Sequence, residues 1–335
     1  MSGTRLNLAF PDGHPAGDVL VIGARGGDDL SPLDPSRTRI TQGFFTDYAN
    51  LSARGFNVAP VTDGDFDTVI VILPRAKSEA RARIAAAVAR LRPGAALWID
   101  GQKNDGVDSL LKELRGLAQV DEVHSKAHGK IFRVIPAAGD WVPADWPAVA
   151  TPVAPGFVTR PGVFSADGID PGSALLARYL PERLPARLVD PGAGWGWLAA
   201  QALTRPGVEI VHLVEANHAA LQSARDNISD PRARFYWADA RDFRLPEPVN
   251  GVIMNPPFHD GRDADPRLGA GFIATAARLL TGAGRLWMVA NRHLPYETTL
   301  REHFGQVVEI GGDSRYKIFE ASGAGRGARR QKARR

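Results

Sequence analysis

The sequence LVDPGAGWG, residues 188–196, joins a short apolar run to a loop with three glycines. This order predicts a buried strand followed by a tight turn into a helix. Glycines without a β-carbon let the backbone turn sharply and approach a ligand at the N-terminus of the next helix. The spacing does not reproduce the GxGxxG fingerprint of dinucleotide-binding proteins cleanly. The loop is therefore either a ligand-binding loop of another kind or a purely structural glycine turn.

Polar side chains follow the next strands predicted along the chain. Glu215, Asp239 with Ala240, and Asn255 each come directly after an apolar, β-rich run. Because parallel strands end at one edge of a sheet, we expect these residues to lie together there. Glu215 is then placed to accept hydrogen bonds from ribose hydroxyls, and Asp239 from an adenine amine. Each acid alone would be an ordinary solvated strand end, but the recurrence favours an S-adenosylmethionine site, whose glycine-loop contacts are Asp190, Gly192, Gly194 and Gly196.

The sequence MNPPF, residues 254–258, ends the last of these runs. The amide of Asn255, the rigid Pro256 and Pro257, and the ring of Phe258 together predict a socket for a planar group that carries an amine. The alternative is a proline-rich turn with Phe258 packed in the core.

The first half contains a degenerate copy of the second. Strands and helices alternate in it, which favours a mostly parallel α/β sheet. Matching residues recur about 185 positions later, as self-similar halves should: Val69 and Val252, Leu97-Trp98 and Leu286-Trp287, and Ile131-Phe132 and Ile318-Phe319. Ile72 stands where the second half has Asn255, and Arg75 where it has Phe258. We therefore expect the first copy to be catalytically silent, with Arg75 and Lys77 contacting RNA or belonging to a solvated loop.

The composition restricts the class of protein. The 335 residues include 44% hydrophobic and 23% charged residues, and no apolar run reaches the roughly 18 to 20 residues of a membrane span, so we expect a cytoplasmic protein. With no cysteine and no HxxxH pair among eight histidines, no metal site is predicted. Six basic residues after Gly323 account for the positive net charge of +4. This tail predicts a contact with phosphates, or a solvated end that aids solubility.

Four segments are predicted from these patterns. They are a degenerate domain without cofactor at 1–136, a proline-rich linker without regular structure at 137–156, a catalytic domain at 157–322 and a flexible basic tail at 323–335.

The motifs FVTRPGVFSADGIDPGS, VDPGAGWG, MNPPFHDG, VANRHLPY and RYKIFEA together resemble the ribosomal RNA guanine exocyclic-amine methyltransferases. Pro191, Trp195 and Trp197 depart from that pattern in the glycine loop. The resemblance implies two tandem Rossmann-like class I methyltransferase domains, the first degenerate, and S-adenosylmethionine as cofactor. It implies methyl transfer to a guanine amine of ribosomal RNA, most of all in the small subunit. We also expect a monomer.

The resemblance also implies roles for single residues. Asn255 and the carbonyl of Pro256 accept hydrogen bonds from the target amine, with Pro257 in the same motif, and Phe258 stacks on the base. Weaker candidates for closing the site or holding phosphates are Phe164, Arg160, Arg292 and Lys317, and the alternative for each of them is ordinary packing or surface.

Two kinds of alternative remain open. The substrate could instead be a large-subunit guanine, an adenine or a protein glutamine. The chain could also be an RNA-binding assembly protein without activity.

Overall fold

The computed structural model of the chain describes residues 2–11, 13–136, 139–257, 259–260, 263–264 and 266–325. The chain divides into two compact units. The first comprises residues 1–149 with 160–162, and the second comprises residues 150–159 with those from 163 onward. Phe258 and residues 326–335 of the predicted basic tail lie outside the described residues.

The first unit is built on a mostly parallel sheet. Within its described residues the sheet has seven strands in the order β3-β2-β1-β4-β5-β7-β6, with β7 antiparallel to its neighbours. The strands are β1 Val19–Ile22, β2 Thr38–Thr41, β3 Asn57–Ala59, β4 Phe66–Ile72, β5 Leu91–Gln102, β6 Gln119–Lys126 and β7 Gly129–Ile135. The helices are α1 Ser2–Ala9, α2 Phe45–Ala53, α3 Lys77–Val88 and α4 Val107–Leu114, and a 3-10 turn spans Lys103–Asp105.

The second unit repeats this architecture after a short hairpin. Its described residues form a seven-stranded sheet in the order β12-β11-β10-β13-β16-β18-β17. The strands of this sheet are β10 Arg187–Pro191, β11 Ile210–Glu215, β12 Ala233–Trp237, β13 Val249–Met254, β16 Leu280–Asn291, β17 Phe304–Gly312 and β18 Tyr316–Ala324. Two separate two-stranded ribbons are formed by β8 Thr151–Ala154 with β9 Phe157–Thr159 and by β14 His259–Asp260 with β15 Asp263–Ala264. The helices are α5 Pro171–Tyr179, α6 Trp197–Leu203, α7 His218–Asn227, α8 Pro266–Leu279 and α9 Tyr296–His303.

Strand register confirms that the two sheets are copies of one fold. Residues predicted to correspond also have corresponding partners across the strands. Val69 lies beside Leu97 as Val252 lies beside Leu286, and Ile131 lies beside Asp100 as Ile318 lies beside Val289. Because a one-residue slip would move each side chain to the opposite face, this agreement establishes the correspondence at single-residue level.

The apolar runs form strands because both faces of each sheet are covered. Leu188 and Val189 are adjacent and fully buried, yet they belong to separate clusters on opposite faces of the second sheet. Leu20 and Val21 of the first sheet divide in the same way. A strand buried on both faces has a continuous rather than an alternating apolar pattern. None of the helices among the described residues has the length and apolar character of a membrane span.

The proline-rich segment differs from the prediction at one end. We expected no regular structure at 137–156, but Thr151–Ala154 forms an antiparallel pair with Phe157–Thr159. Pro152 lies opposite Val158, whose N–H and carbonyl both bond to the side chain of Asn227. The missing N–H of proline therefore costs this ribbon no hydrogen bond. At the other end of the unit, β18 continues through Gly323 to Ala324, two residues into the segment predicted as tail.

Candidate active site

The candidate site lies where the strand order of the second sheet reverses, between the neighbouring strands β10 and β13. Open α/β sheets bind ligands outside the carboxyl ends of the strands at such a reversal. Asp190 is the second-last residue of β10, and Asn255 directly follows β13. Both line one cavity together with Gly192 and Gly194. The structure thus brings together four of the predicted site residues.

The glycines of the loop have separate roles. Gly194 has a φ of +56°, and a β-carbon there would meet nothing within 4 Å, so its exposed backbone can be approached by a ligand. Its N–H donates to Oε2 of Glu215 at 2.8 Å. Gly196, with a φ of +85°, begins α6, and a β-carbon there would lie 2.9 Å from Cδ1 of Ile228. Gly194 therefore serves the cavity, whereas Gly196 serves packing against α7.

Asp190 and Glu215 form a buried acidic pair beside this loop. Asp190 is 1% exposed, and its Oδ2 has no hydrogen-bond partner among the described residues. Burial, followed by the charge of Glu215, raises the pKa of Asp190 to about 8. Burial also raises the pKa of Glu215, against the N–H groups of Asn217 and Gly194 that stabilise its carboxylate. A buried carboxylate oxygen without a donor is costly, so this site suits a ligand that brings a cation.

Asn255 connects two cavities. Besides the cavity of the glycine loop, it lines a second one with Pro256, Asp170 and Tyr316. Its Nδ2 donates to Oδ2 of Asp170 at 2.7 Å and to Oγ of Ser173 at 2.9 Å. Asp170 and Ser173 were not predicted as site residues from the sequence. The only signal for them was local, an acid before Pro171 that is typical of a helix N-cap.

The remaining predicted cofactor residues, Asp239 and Ala240, lie at the same edge of the sheet but contact protein groups there. Both carboxylate oxygens of Asp239 bond to the guanidinium of Arg241. Ala240 is buried in the core cluster on one face of the sheet. Their contacts with a cofactor stay predictions, as does the stacking role of Phe258, which lies outside the described residues.

The weaker substrate candidates are scattered. Phe164 is 61% exposed and lines both cavities. Arg160 is half-buried and belongs to the first unit. Arg292 donates to the carbonyls of Asp313 and Tyr316, and Lys317 is buried, with its Nζ bonded to Glu297 and to the carbonyl of Leu294. Of these four, Phe164 has the position that suits contact with a base.

The first unit has lost the three acids and the asparagine of this arrangement. Register places Val21 at the position of Asp190 and Gln42 at that of Glu215. It also places Thr62 at the position of Asp239 and Ile72 at that of Asn255. Gln42 keeps one bond of the acid it replaces, since its Oε1 accepts the N–H two residues on, as Oε1 of Glu215 does. Its Nε2 donates to the carbonyl of Ala24.

An arginine of the first unit lies at the position that corresponds to the candidate site of the second. Nη1 of Arg83, on α3, donates to the carbonyl of Ile72 at 2.7 Å and lies 3.5 Å from that of Gly23. A β-carbon on Gly23 would lie 1.7 Å from this nitrogen. Register makes Gly192 and Asn255 the counterparts of Gly23 and Ile72, so this point of the fold suits a cation.

The described residues contain no group of three or more His, Asp or Glu side chains that could hold a metal ion.

Comparison with known proteins agrees with this geometry. A family model described as the methyltransferase small domain matches residues 155–320, and one described as its N-terminal domain matches residues 16–138. Ribosomal RNA small subunit methyltransferase C of Hahella chejuensis is 31% identical over 278 residues, which cover 79% of this chain and 80% of that protein. The protein of the same name from Shewanella halifaxensis is 32% identical over 282 residues, or 81% of each chain.

A solved structure is similar over nearly the whole chain. It is a 16S rRNA N2 methyltransferase from T. thermophilus in complex with AdoMet and guanosine. The match covers 95% of this chain and 91% of that chain, with a TM-score of 0.78 and 25% identity. The chain therefore belongs to the methyltransferase small-domain family, in the two-domain form represented by the ribosomal RNA small subunit methyltransferase C proteins.

Proposed function

We propose that the protein transfers a methyl group from S-adenosylmethionine to the exocyclic amine of a guanine in small-subunit ribosomal RNA. The observation that carries this proposal is the position of Asn255. It lines two cavities, and the first of them also contains Asp190, whose buried Oδ2 has no hydrogen-bond partner among the described residues. The choice of ribosomal RNA and of guanine as the substrate follows the names of the relatives.

The residues fit S-adenosylmethionine. Asp190, with its orphaned Oδ2, would receive the ammonium group, and the backbone at Gly194 leaves room for close approach. Arg83 of the first unit supports this assignment, because its guanidinium takes the equivalent carbonyls. Glu215 and Asp239 would hold the ribose and the adenine. When bound, S-adenosylmethionine supplies an electrophilic methyl group on a sulfonium.

Asn255 and Pro256 orient the amine. Both Nδ2 protons of Asn255 are engaged, so its Oδ1 is left to accept from the target NH2. The carbonyl of Pro256 would accept the second proton. An amine conjugated to its ring is a poor nucleophile, so holding it out of conjugation and in line with the methyl group is the main task. Such positioning can supply up to about 7 to 11 kcal/mol in favourable cases.

Aromatic side chains would hold the base. Phe164 is exposed at the rim of both cavities, and Phe258 follows the socket in sequence. Stacking of a base on an aromatic ring contributes about 1 to 3 kcal/mol. We propose that the first unit binds no cofactor and contributes to RNA binding, and that the protein acts as a cytoplasmic monomer.

The test is transfer of labelled methyl to ribosomal RNA from a strain that lacks the protein, followed by nucleoside analysis. We expect the wild type to produce N2-methylguanosine. In Asn255→Ala the rate of methyl transfer should fall by about 100-fold or more, because the target amine loses Oδ1 of Asn255 as its hydrogen-bond acceptor. Cofactor affinity should stay within about threefold, measured by calorimetry. Asn250→Ala, at the opposite end of β13, is the matched control and should keep full activity. Near-normal turnover by Asn255→Ala would refute the assignment, and a methylated adenine or protein would redirect the substrate.

A further inference from the structure

Asp170 sits at a junction between helix α5 and the candidate catalytic amide. It is the N-cap of α5, and its Oδ2 accepts the N–H of Ser173 at 2.7 Å. The same oxygen accepts Nδ2 of Asn255, also at 2.7 Å. The hydroxyl of Ser173 takes the other hydrogen of this nitrogen, at 2.9 Å. One helix terminus therefore binds both donors of an amide that lies 85 positions away in the chain.

The chemistry of these partners determines how the amide is oriented. An asparagine side chain can turn either its oxygen or its nitrogen toward a neighbour, because the two groups have nearly the same shape. An ionised carboxylate only accepts hydrogen bonds, so it must face the nitrogen. With both of its N–H groups engaged on that side, Asn255 has only Oδ1 left for the substrate cavity. Among the described residues, Oδ1 has no partner of its own.

The surroundings hold the carboxylate in place. Pro171 at the first helical position fixes the backbone that follows the cap. At Gly172, a β-carbon would lie 3.1 Å from Oδ2 of Asp170 and 3.1 Å from Cε1 of Tyr316, so a larger residue there would crowd both the cap and the ring. The ring of Tyr316 and Asp170 both line the second cavity.

We propose that Asp170, assisted by Ser173, is a positioning residue that orients the Asn255 amide so that the site accepts an amine and disfavours a carbonyl or hydroxyl group. This inference rests on the proposed function. In the opposite orientation, the NH2 of Asn255 would face the NH2 of the substrate, and two donors would oppose each other. Capping of α5 alone would require the bond from the N–H of Ser173 but no bond to Asn255.

Three substitutions separate positioning from capping. Asp170→Ala removes both roles. Asp170→Ser restores the cap, since serine is among the best N-cap residues, but its shorter hydroxyl can also donate and does not reach Asn255 in the same way. Asp170→Asn keeps an oxygen that can accept from both Ser173 and Asn255. We expect kcat to fall by at least about 30-fold in Asp170→Ala and Asp170→Ser and by less than about fivefold in Asp170→Asn, with cofactor affinity nearly unchanged.

Thermal melting and nuclear magnetic resonance complete the test. Asp170→Ser should melt near the wild-type temperature although its kcat stays low. If Asp170→Ser recovers wild-type kcat, the residue is only a cap and the proposal is wrong. Solvent exchange of the Asn255 side-chain protons, followed by nuclear magnetic resonance, should be slow in the wild type and in Asp170→Asn and at least about tenfold faster in Asp170→Ser. Equal exchange rates would overturn the proposal. This second measurement needs no turnover, so it decides the role of Asp170 even if ribosomal RNA proves to be the wrong substrate.

Discussion

We propose that Asp190 links the protonation state of the candidate site to its affinity for S-adenosylmethionine. Its folded pKa, about 8, lies above its ordinary value of 3.8. The native state therefore holds a proton that the unfolded chain releases. This contribution to stability is fully present below about pH 4 and is lost as the pH rises through about 8.

The bound cation should reverse that preference. An ammonium group favours the carboxylate, so binding releases the proton, and affinity should rise from pH 6 to pH 7.5 by up to about tenfold per pH unit. Calorimetric titration with S-adenosylmethionine at several pH values measures this slope. Asp190→Asn should bind more weakly and with a flat profile. An equally steep profile in that variant would assign the pH dependence to another group.

Asn227 shows how one side chain can secure an entire element. It ends α7, and it bonds to the N–H and carbonyl of Val158 at 2.7 and 2.9 Å and to the carbonyl of Trp195 at 2.9 Å. The hairpin β8–β9 and the glycine loop are thus attached to the same helix end. The indole of Trp195 packs edge-on against Phe157 of the hairpin, with ring centroids 5.6 Å apart.

Removal of this side chain should loosen both segments together. Asn227→Ala loses three hydrogen bonds, and we expect the free energy of unfolding to fall by about 1 to 3 kcal/mol in urea titration. Cofactor affinity should fall with it, because Trp195 belongs to the loop. Asn227→Asp keeps only the bond from the N–H of Val158 and should give an intermediate loss. If stability fell but cofactor affinity did not, the hairpin would be independent of the loop.

The two units of the molecule differ in the residues at corresponding positions of the sheet edge. At each register position the first unit carries an apolar or neutral residue where the second carries Asp190, Glu215, Asp239 or Asn255. Arg83 supplies a permanent cation to the carbonyls of Ile72 and Gly23. It also pairs with Glu79 one helical turn earlier.

Cofactor stoichiometry tests this asymmetry. We expect one S-adenosylmethionine per chain, both in the wild type and in Arg83→Ala, because removing the guanidinium does not restore the lost acids. Arg83→Ala should reduce stability by about 1 to 2 kcal/mol, since it leaves the carbonyl of Ile72 without its donor. Asp190→Asn provides the contrast, because it should weaken the one site that does bind. A second equivalent bound by Arg83→Ala would mean that the arginine alone keeps the first unit silent.

Much of the fold could be predicted because its signals are local. Continuous apolar runs gave β1, β4, β10 and β13, and glycine or proline marked the turns that follow them. The prediction of two copies of an α/β fold is confirmed by the strand orders and by the family comparison. The hairpin at Pro152 was missed, because the partner that spares its absent N–H is Asn227, far along the chain.

The residues of the candidate site also fall into two groups, those predictable from local sequence and those that depend on tertiary packing. Asp190, Glu215 and Asn255 could be found from the sequence, because a residue after a parallel strand must lie at the ligand-binding edge. Asp170 and Ser173 could not, because their contact with Asn255 depends on how α5 packs against the end of β13. For Lys317 and Arg292 the sequence left both phosphate contact and ordinary packing open, and in the structure both bond to backbone carbonyls, with Lys317 also bonded to Glu297.

The sequence by itself determined that this chain carries a fold twice and that only the second copy keeps the acids and the amide of an amine-methylating site. Local periodicity and turn chemistry suffice for that, since they act over a few neighbouring residues. Only the tertiary structure decided that Nδ2 of Asn255 is bonded to Asp170 and Ser173, and that Arg83 bonds to the carbonyl of Ile72 in the first copy. Those outcomes depend on hydrogen-bond partners that become neighbours only when distant segments pack.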